Sequence, residues 1–328
     1  MVPKFCRHNR LIQNCPICSR EQAVELRPLV SSSAPRVAEP RPRAPSAPRD
    51  RPRQPGVRRG VTVRRVRDAV DDGYRSPLAP GLRSTEDARR LAEEIAFAST
   101  RLALMASDPP GLYRAVADAS GDLEERTWLA FLIAYLYPLE SADPFAEIAR
   151  VATTWGASGQ LALQDVQTGP RTAYDPARGP TTIEAYRSWA DRAGSQSQAF
   201  LGEAGWTPDR RFARTFERLS LPGLHRDARF ELLTSLGALG VYELRAGSLA
   251  LGGSDVVTLA AKRVLAIGDS LLLERRAAEL AAACGAPLAA LDLALYNWER
   301  GERVTGGMGP GAEPASAELA AALTGLEV

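Results

Sequence analysis

Several features that define whole classes of protein are missing from this sequence of 328 residues. No apolar run reaches the roughly 18 residues that a membrane span needs, and the longest candidate, Trp128 to Pro138, is better explained as a buried helix. The N-terminus lacks the apolar core of a signal peptide. Its few cysteines are spaced for metal binding instead of disulfide pairing, which favours a reducing compartment. We therefore expect a cytoplasmic protein with no membrane partner.

Strand-like alternation of apolar and polar residues is also nearly absent. Apolar residues instead recur at three- and four-residue steps, for example Leu272, Ala277, Leu280 and Cys284, which is typical of amphipathic helices. The fold class is predicted to be all-α. The predicted helices span about 86–106, 110–119, 123–137, 143–154, 181–203, 208–219, 225–236, 241–250, 255–266, 270–284 and 287–298.

The first eighteen residues contain three of the four cysteines and one of the two histidines. Cys6, His8, Cys15 and Cys18 form a Cys-x-His followed by Cys-x-x-Cys, a spacing that suits tetrahedral Zn²⁺. The four protein ligands leave no open position for water, so the pattern predicts a structural zinc site. The alternative is a set of unligated thiols and imidazole in a frayed terminus.

Composition divides the chain into four regions. Residues 1–22 are predicted to be a zinc-binding knuckle that folds only with its ion. Residues 23–84 are rich in Pro, Arg, Ser and Ala and are predicted to be a disordered linker. Residues 85–301 form the helical domain, and residues 302–328 contain the Gly-rich loop 306–311 and a short final helix at about 315–323. Within the domain, residues 155–180 are predicted to be a long irregular insertion, a type of segment that is often functional.

Arginine recurs twelve times between Arg27 and Arg67, against only Glu39 and Asp50. A flexible basic segment of this kind neutralises phosphates with strongly salt-dependent affinity. DNA is therefore the expected partner of the linker. An inert solubilising linker is the alternative.

The sequence Leu236-Gly237-Ala238-Leu239-Gly240 precedes a predicted helix. Two glycines three apart permit the positive φ and close backbone approach of a tight hairpin. Main-chain N–H groups at such a turn, next to a helix N-terminus, can hold a phosphate oxygen. Gly237 and Gly240 are therefore predicted to contact a DNA phosphate, although a packing hairpin without a ligand has the same pattern.

Over about its last hundred residues the chain resembles the helix-hairpin-helix DNA glycosylase superfamily. Leu236 to Gly240 stands at the hairpin, Asp255 at the essential acid, Lys262-Arg263 at the basic pair and Leu291 to Trp298 at the closing helix. The hairpin proline is missing, and Tyr242 stands where bifunctional members carry a lysine. The resemblance therefore implies a glycosylase-like fold without a Schiff-base lyase step.

The whole pattern more closely resembles the α-glutamyl/putrescinyl thymine pyrophosphorylases, an offshoot of that superfamily. The similar stretches are Cys6 to Cys18, Arg229 to Leu233, Leu244 to Leu249, Leu259 to Arg263, Ile267 to Asp269 and Leu273 to Ala277. The resemblance implies that an amine displaces diphosphate from pyrophosphorylated 5-hydroxymethyluracil in DNA. DNA and a small amine donor would then be the partners.

Asp255 is the predicted catalytic residue. A carboxylate at a helix start can stabilise positive charge on a sugar carbon or a pyrimidine methylene, or deprotonate a nucleophile. Ser254-Asp255 is also an ordinary helix N-cap sequence. Asp269 and His225 are expected to be helix-start residues, and Arg229 and Glu231 could form a surface ion pair.

Two further groups are candidates for DNA contacts. Lys262, Arg263, Arg275 and Arg276 could meet phosphates, or they could lie on solvated helix faces. A pocket for an extruded base is predicted from Tyr242, Tyr296, Asn297 and Trp298, although aromatic residues at helix ends are more often core. A base-excising DNA glycosylase and a non-catalytic zinc-containing DNA-binding protein stay open as alternatives to the transferase.

Overall fold

The computed structural model describes residues 70–157 and 161–328. These residues form twelve α-helices and no β-strand, so the fold is all-α as predicted. In chain order the helices are α1 Thr85–Ser107, α2 Leu112–Ala117, α3 Leu123–Leu136, α4 Ala146–Val151, α5 Gly179–Ala193, α6 Gln196–Leu201, α7 Pro208–Arg218, α8 Arg226–Ala238, α9 Val256–Leu265, α10 Ser270–Ala283, α11 Ala290–Arg300 and α12 Ser316–Leu326.

The helix α1 begins where its local sequence predicts. The Ser84 hydroxyl accepts hydrogen bonds from the backbone N–H groups of Glu86 and Asp87, and these two acids occupy the positive first turn. Along most of its length α1 is buried, and it packs against α11, α12 and α8. This helix therefore connects the C-terminal helices with the central part of the domain.

A second group of helices surrounds α3, which contacts α2, α4, α6 and α8. Its residues Trp128, Phe131 and Tyr135 are buried and stack against one another, and the ring of Phe131 lies 3.8 Å from that of Tyr186 on α5. The apolar run around Trp128 is therefore a core helix, as expected. None of the helices in the described residues is long and apolar enough to cross a membrane.

Two helix predictions are wrong. The predicted helix 181–203 is divided into α5 and α6, because Gly194 adopts a φ of 95° and Ser195 caps the new helix with its hydroxyl. The predicted helix 241–250 does not form, and residues 239–255 are an irregular connection. Amides in this connection bond outside any helical ladder: Leu249 N–H donates to the Glu274 carboxylate at 2.7 Å, and so does Leu251.

The segment 161–178, which is most of the described part of the predicted insertion 155–180, contains no helix or strand, whereas the last two residues of the predicted insertion already belong to α5. It docks on the C-terminal end of α3, where the N–H of Ala173 donates to the Tyr135 carbonyl at 3.0 Å and that of Gly169 donates to the Tyr137 carbonyl at 3.0 Å. These bonds satisfy carbonyls that a helix end leaves open. The segment is thereby fixed in place although it lacks regular structure.

The folded part begins before residue 85, the boundary predicted from composition. Ala79 and Leu82 are buried, and the N–H of Gly81 donates to the carbonyl of Val264 at 2.9 Å. The side chain of Tyr74 also donates a hydrogen bond to the carbonyl of Leu326. Residues from about 74 to 84 therefore pack on the helical domain instead of belonging to the linker.

Candidate functional site

Seven charged side chains from separate parts of the chain meet inside the helical domain, and we call them the buried ion cluster. The members come from α1, the segment 161–178, the first half of α8, the connection before α9 and the first turn of α11. They are Arg101, Arg171, Arg226, Asp227, Glu231, Asp255 and Asp292. Burying this many charges is favourable only when they are paired.

Asp292 is the centre of the cluster, with a side chain only 3% exposed. Arg171 donates to its Oδ2 at 2.5 Å, and Arg226 donates to its Oδ1. Burial by itself would raise the pKa of Asp292, but the fields of the two guanidinium groups outweigh burial, and the pKa is lowered overall. Asp292 is therefore a fixed anion in the core.

A second buried pair joins α1 to α8. The guanidinium of Arg101 bonds to Glu231 and also donates to the Tyr113 hydroxyl at 3.0 Å and to the Gly306 carbonyl at 3.3 Å. Burial raises the pKa of Tyr113 to about 12, although Arg101 opposes this shift, so the phenol stays neutral. Glu231 is thus a core residue, and the surface ion pair with Arg229 that the sequence left open does not form. Arg229 instead lies over the Phe216 ring.

Part of the cluster is left with incomplete hydrogen bonding. Within the described residues, Nε and NH1 of Arg171 and the hydroxyl of Tyr137 are buried and have no hydrogen-bond partner. Tyr137 also has φ 60° and ψ 138° at the end of α3, a conformation that is rare for a bulky residue and costs about 1 to 3 kcal/mol. Strain and unsatisfied donors inside a core are features that concentrate at functional sites.

The cluster reaches the surface through Arg226. Its NH1 donates to Asp227 at 3.0 Å, and its Nε lies 3.9 Å from Oδ1 of Asp255. The side chains of Asp227 and Asp255 are 20% and 21% exposed, whereas that of Asp292 is almost fully enclosed. Asp255 therefore stands at the solvent-accessible end of a network whose other end is buried.

Asp255 is also the N-cap of α9. Its Oδ1 accepts from the backbone N–H of Thr258 at 2.9 Å, and its Oδ2 accepts from the Thr258 hydroxyl at 2.7 Å. The capping alternative for this residue is thus present in the structure. Capping and catalysis are compatible, because the cap fixes the carboxylate while part of it stays exposed.

The predicted phosphate-binding hairpin is a helix-ending turn. Gly240 has φ 68°, and a Cβ at Gly237 would lie 2.4 Å from the Leu244 carbonyl, so both glycines are needed for conformation and close approach. The N–H groups of Gly240, Val241 and Tyr242 already donate to carbonyls of α8. No helix follows this turn directly. The turn therefore offers neither free N–H donors nor a helix N-terminus, the two features on which the predicted phosphate binding by Gly237 and Gly240 depends.

Three of the four predicted DNA-contacting cations are paired with acids. Arg263 makes two 2.8 Å bonds to Glu299, and Arg275 and Arg276 both bond to Glu279, at 3.0 and 2.6 Å. Lys262, in the last turn of α9, has no ion pair among residues 70–157 and 161–328. All four lie near the surface on α9 and α10.

The predicted base-pocket residues lie in the core. Tyr242 bonds to the Thr127 hydroxyl at 2.7 Å, and Asn297 bonds to Glu94 at 2.9 Å and to the backbone of Val304. Trp298 donates to the Asp87 carbonyl at 3.1 Å. These three side chains therefore fill structural positions.

Tyr296 is different from these three, because it touches the buried ion cluster. The guanidinium of Arg171 lies 4.8 Å from the centre of its ring, and its hydroxyl donates to the Pro170 carbonyl at 3.1 Å. Of the four predicted pocket residues, Tyr296 alone is thereby placed against a candidate functional group.

The proposed zinc ligands Cys6, His8, Cys15 and Cys18 lie outside the described residues. Within residues 70–157 and 161–328, no group of three or more His, Cys, Asp and Glu side chains is arranged to hold a metal ion. Asp269 caps α10 by accepting from the Leu272 N–H at 2.9 Å, and His225 directly precedes α8, as expected for helix-start residues.

Sequence reasoning did not single out Arg101, Arg171, Arg226 or Asp292 as site residues. A signal was present in two of them, because Arg101 and Asp292 each fall on the apolar face of a helix, where a charge must find a buried partner. Arg171 lies in a segment without periodicity, and nothing local indicates that it is buried. Comparison of the chain with protein-family models, curated proteins and solved structures gives no match.

Proposed function

We propose that this protein is an enzyme acting on thymine-derived bases in DNA, with Asp255 as its catalytic carboxylate. The observation that carries this proposal is the position of Asp255 at the exposed end of the buried ion cluster, beside Arg226. The guanidinium of Arg226 places a positive charge next to this carboxylate, with Nε 3.9 Å from Oδ1. The capping bonds from Thr258 hold the same group in one orientation.

Such a carboxylate suits the transfer reaction implied by the resemblance. An amine would form a bond to the methylene carbon of pyrophosphorylated 5-hydroxymethyluracil while the carbon–oxygen bond to diphosphate breaks. Asp255 would stabilise the positive charge developing on the methylene or accept the proton that the amine loses. We propose a glycosylase-like helical domain as the scaffold and a cytoplasmic, nucleoid-associated location.

Formal charge is distributed unevenly along the chain. Residues 70–328 contain 25 basic and 34 acidic side chains, a formal charge of −9, whereas residues 1–69 contain 16 basic and 5 acidic ones, a formal charge of +11. An acidic domain repels phosphates. We propose that the arginines of residues 23–67 supply most of the electrostatic attraction to DNA, next to a knuckle that holds structural Zn²⁺.

The role of the basic segment is tested by deleting residues 23–67 and measuring DNA affinity at several salt concentrations. We expect the slope of log affinity against log salt to become much shallower, because fewer counterions are released. A slope equal to that of the full chain would contradict this role.

Replacing Cys15 and Cys18 by serine and measuring bound zinc by atomic spectroscopy tests the zinc knuckle. An unchanged zinc content would contradict the proposed site.

The catalytic proposal is tested by Asp255→Asn, with Asp269→Asn as its matched control. Both residues are helix N-caps that accept a backbone bond at 2.9 Å, and Asn preserves capping. We expect Asp255→Asn to abolish conversion of modified DNA, followed by mass spectrometry, while Asp269→Asn retains it. A fully active Asp255→Asn variant would remove Asp255 from the mechanism. Altered thymine in the product indicates transfer, whereas abasic sites indicate base excision by a glycosylase.

A non-catalytic DNA-binding protein is the second candidate. The observation that favours it is the burial of Tyr242, Asn297 and Trp298 in the core, where they cannot receive an extruded base. On this alternative the wild-type protein binds DNA but leaves every base unchanged, and Asp255→Asn binds with unaltered affinity. Any base-directed turnover that depends on Asp255 would exclude it.

A further inference from the structure

A cavity in the described residues is lined by none of the residues of the buried ion cluster. It has a volume of about 810 Å³, lies between the segment 161–178 and one face of α5, and is open to solvent on one side. A pocket of this size and shape is typical of sites for small organic ligands, which occupy roughly 300 to 1,000 Å³. The helix contributes residues at three- and four-residue steps, namely Pro180, Ile183, Glu184, Arg187, Ser188 and Asp191.

One part of the cavity wall is apolar. Leu163, Val166 and Ile183 line it together with the ring of Tyr174. The Tyr174 hydroxyl donates to the Leu163 carbonyl at 2.9 Å, which ties together two parts of the segment. An apolar ligand body could therefore pack against these side chains.

The charge at the cavity is negative and uncompensated by ion pairs. Glu184 and Asp191 are exposed, and neither has an ion pair within the part of the chain that the structure describes. Arg187 also lines the cavity, between them on α5, but it forms an ion pair with neither of them. Its guanidinium is held 5.3 Å and 5.1 Å from the ring centres of Trp128 and Trp155, and it donates to the Ala157 carbonyl at 3.1 Å.

We propose that this cavity binds a small organic cation with an apolar body. The apolar walls would receive the body, and Glu184 and Asp191 would attract the charge. Tyr174 adds an aromatic ring beside the apolar body. The inference does not depend on the DNA-directed function, since it uses different residues and a different surface.

The first experiment titrates the full-length protein with phenethylammonium as the probe, followed by calorimetry. The neutral isostere 2-phenylethanol and the anion phenylacetate are the controls. We expect the cation to bind more tightly than the neutral compound by about five- to tenfold, as one or two solvent-screened ion pairs provide, and phenylacetate to bind most weakly. Equal affinity for all three compounds, or no binding of the cation, would overturn the proposal.

The second experiment locates the site with variants of α5. The double variant Glu184→Gln/Asp191→Asn should lose the preference for the cation over 2-phenylethanol, and Ser188→Lys should have the same effect by placing an ammonium in the cavity. Glu203→Gln, an exposed carboxylate outside the cavity, is the control and should change nothing. Because all these side chains are exposed, the fold is retained. An unchanged cation preference in both cavity variants would show that the probe binds elsewhere.

Discussion

Carboxylates occur in two contrasting settings, and residues of the segment 161–178 contribute to both. In the buried ion cluster, Asp292 is enclosed by two guanidinium groups and is almost inaccessible to water. At the cavity beside α5, Glu184 and Asp191 are exposed and have no ion pair among the described residues. The first arrangement fixes a negative charge in the core at a high cost in desolvation, whereas the second leaves negative charge available to a ligand.

Burial decides which of these acids can be removed without loss of the fold. A buried carboxylate between arginines cannot be deleted without leaving unpaired buried cations. An exposed carboxylate can be deleted freely, and its loss is seen only in ligand binding. Measurements of the free energy of unfolding separate the two roles.

The largest effect is expected from Asp292→Ala. Removal of this carboxylate leaves Arg171 and Arg226 without their closest partner, and breaking a buried pair in this way costs about 3 to 5 kcal/mol. Asp209→Ala is the matched control, because it breaks an exposed pair with Arg245 at 2.7 Å and should cost less than about 1 kcal/mol. Urea unfolding measures both, and similar losses would show that the cluster is not a buried network.

A smaller effect is expected from Gly306→Ala. Gly306 has φ 58°, and a Cβ there would lie 2.7 Å from Nε of Arg101. Backbone strain and crowding together should cost about 2 to 3 kcal/mol. Gly240→Ala is the control, since it has the same sign of φ but no atom within 4 Å of the added Cβ. We expect the control to lose about 1 kcal/mol of stability. Equal losses in the two variants would show that crowding against Arg101 adds nothing to the cost of backbone strain.

Several features of the fold that depend on local sequence are predicted correctly, and features that depend on distant residues are not. The all-α class, the start of α1 and the caps at Asp255 and Asp269 follow from periodicity and local capping patterns. Such features depend on neighbours in sequence. The irregular connection 239–255 was predicted to be partly helical, because its apolar spacing fits a helix. Its amides are instead captured by the distant side chain of Glu274.

The candidate site was only partly predictable for the same reason. Asp255 is detectable because a cap is a local pattern, whereas its link to Arg226 depends on how α8 and α9 are placed in space. Arg171 becomes a core residue only because its segment docks on the end of α3. Long-range ion pairs leave no periodic trace in a single sequence.

The pH dependence of stability provides a third prediction. The pKa of Asp292 is lowered in the folded protein, because the fields of Arg226 and Arg171 exceed the effect of burial. A lowered pKa contributes stability at pH values above the unfolded value of 3.8, and this contribution is lost as the pH falls through the folded value. Unfolding measured from about pH 6 to about pH 3 should therefore show a decline in stability that is weaker in Asp292→Asn. Parallel curves for the two proteins would contradict a depressed pKa.

The smallest effect concerns Asp255, and it separates capping from catalysis. Asp255→Ala removes the cap of α9 and should cost about 1 kcal/mol, whereas Asp255→Asn retains a capping oxygen and should cost only a few tenths. If Asp255 acts only as a cap, activity should follow this ranking, with Asp255→Asn close to wild type. If the carboxylate takes part in the reaction, both variants should be inactive although their free energies of unfolding differ. Urea unfolding and mass spectrometry of treated DNA on the same samples distinguish these outcomes. An amide can substitute for a carboxylate that is needed only as a capping oxygen, but it cannot substitute for one that is needed for its charge.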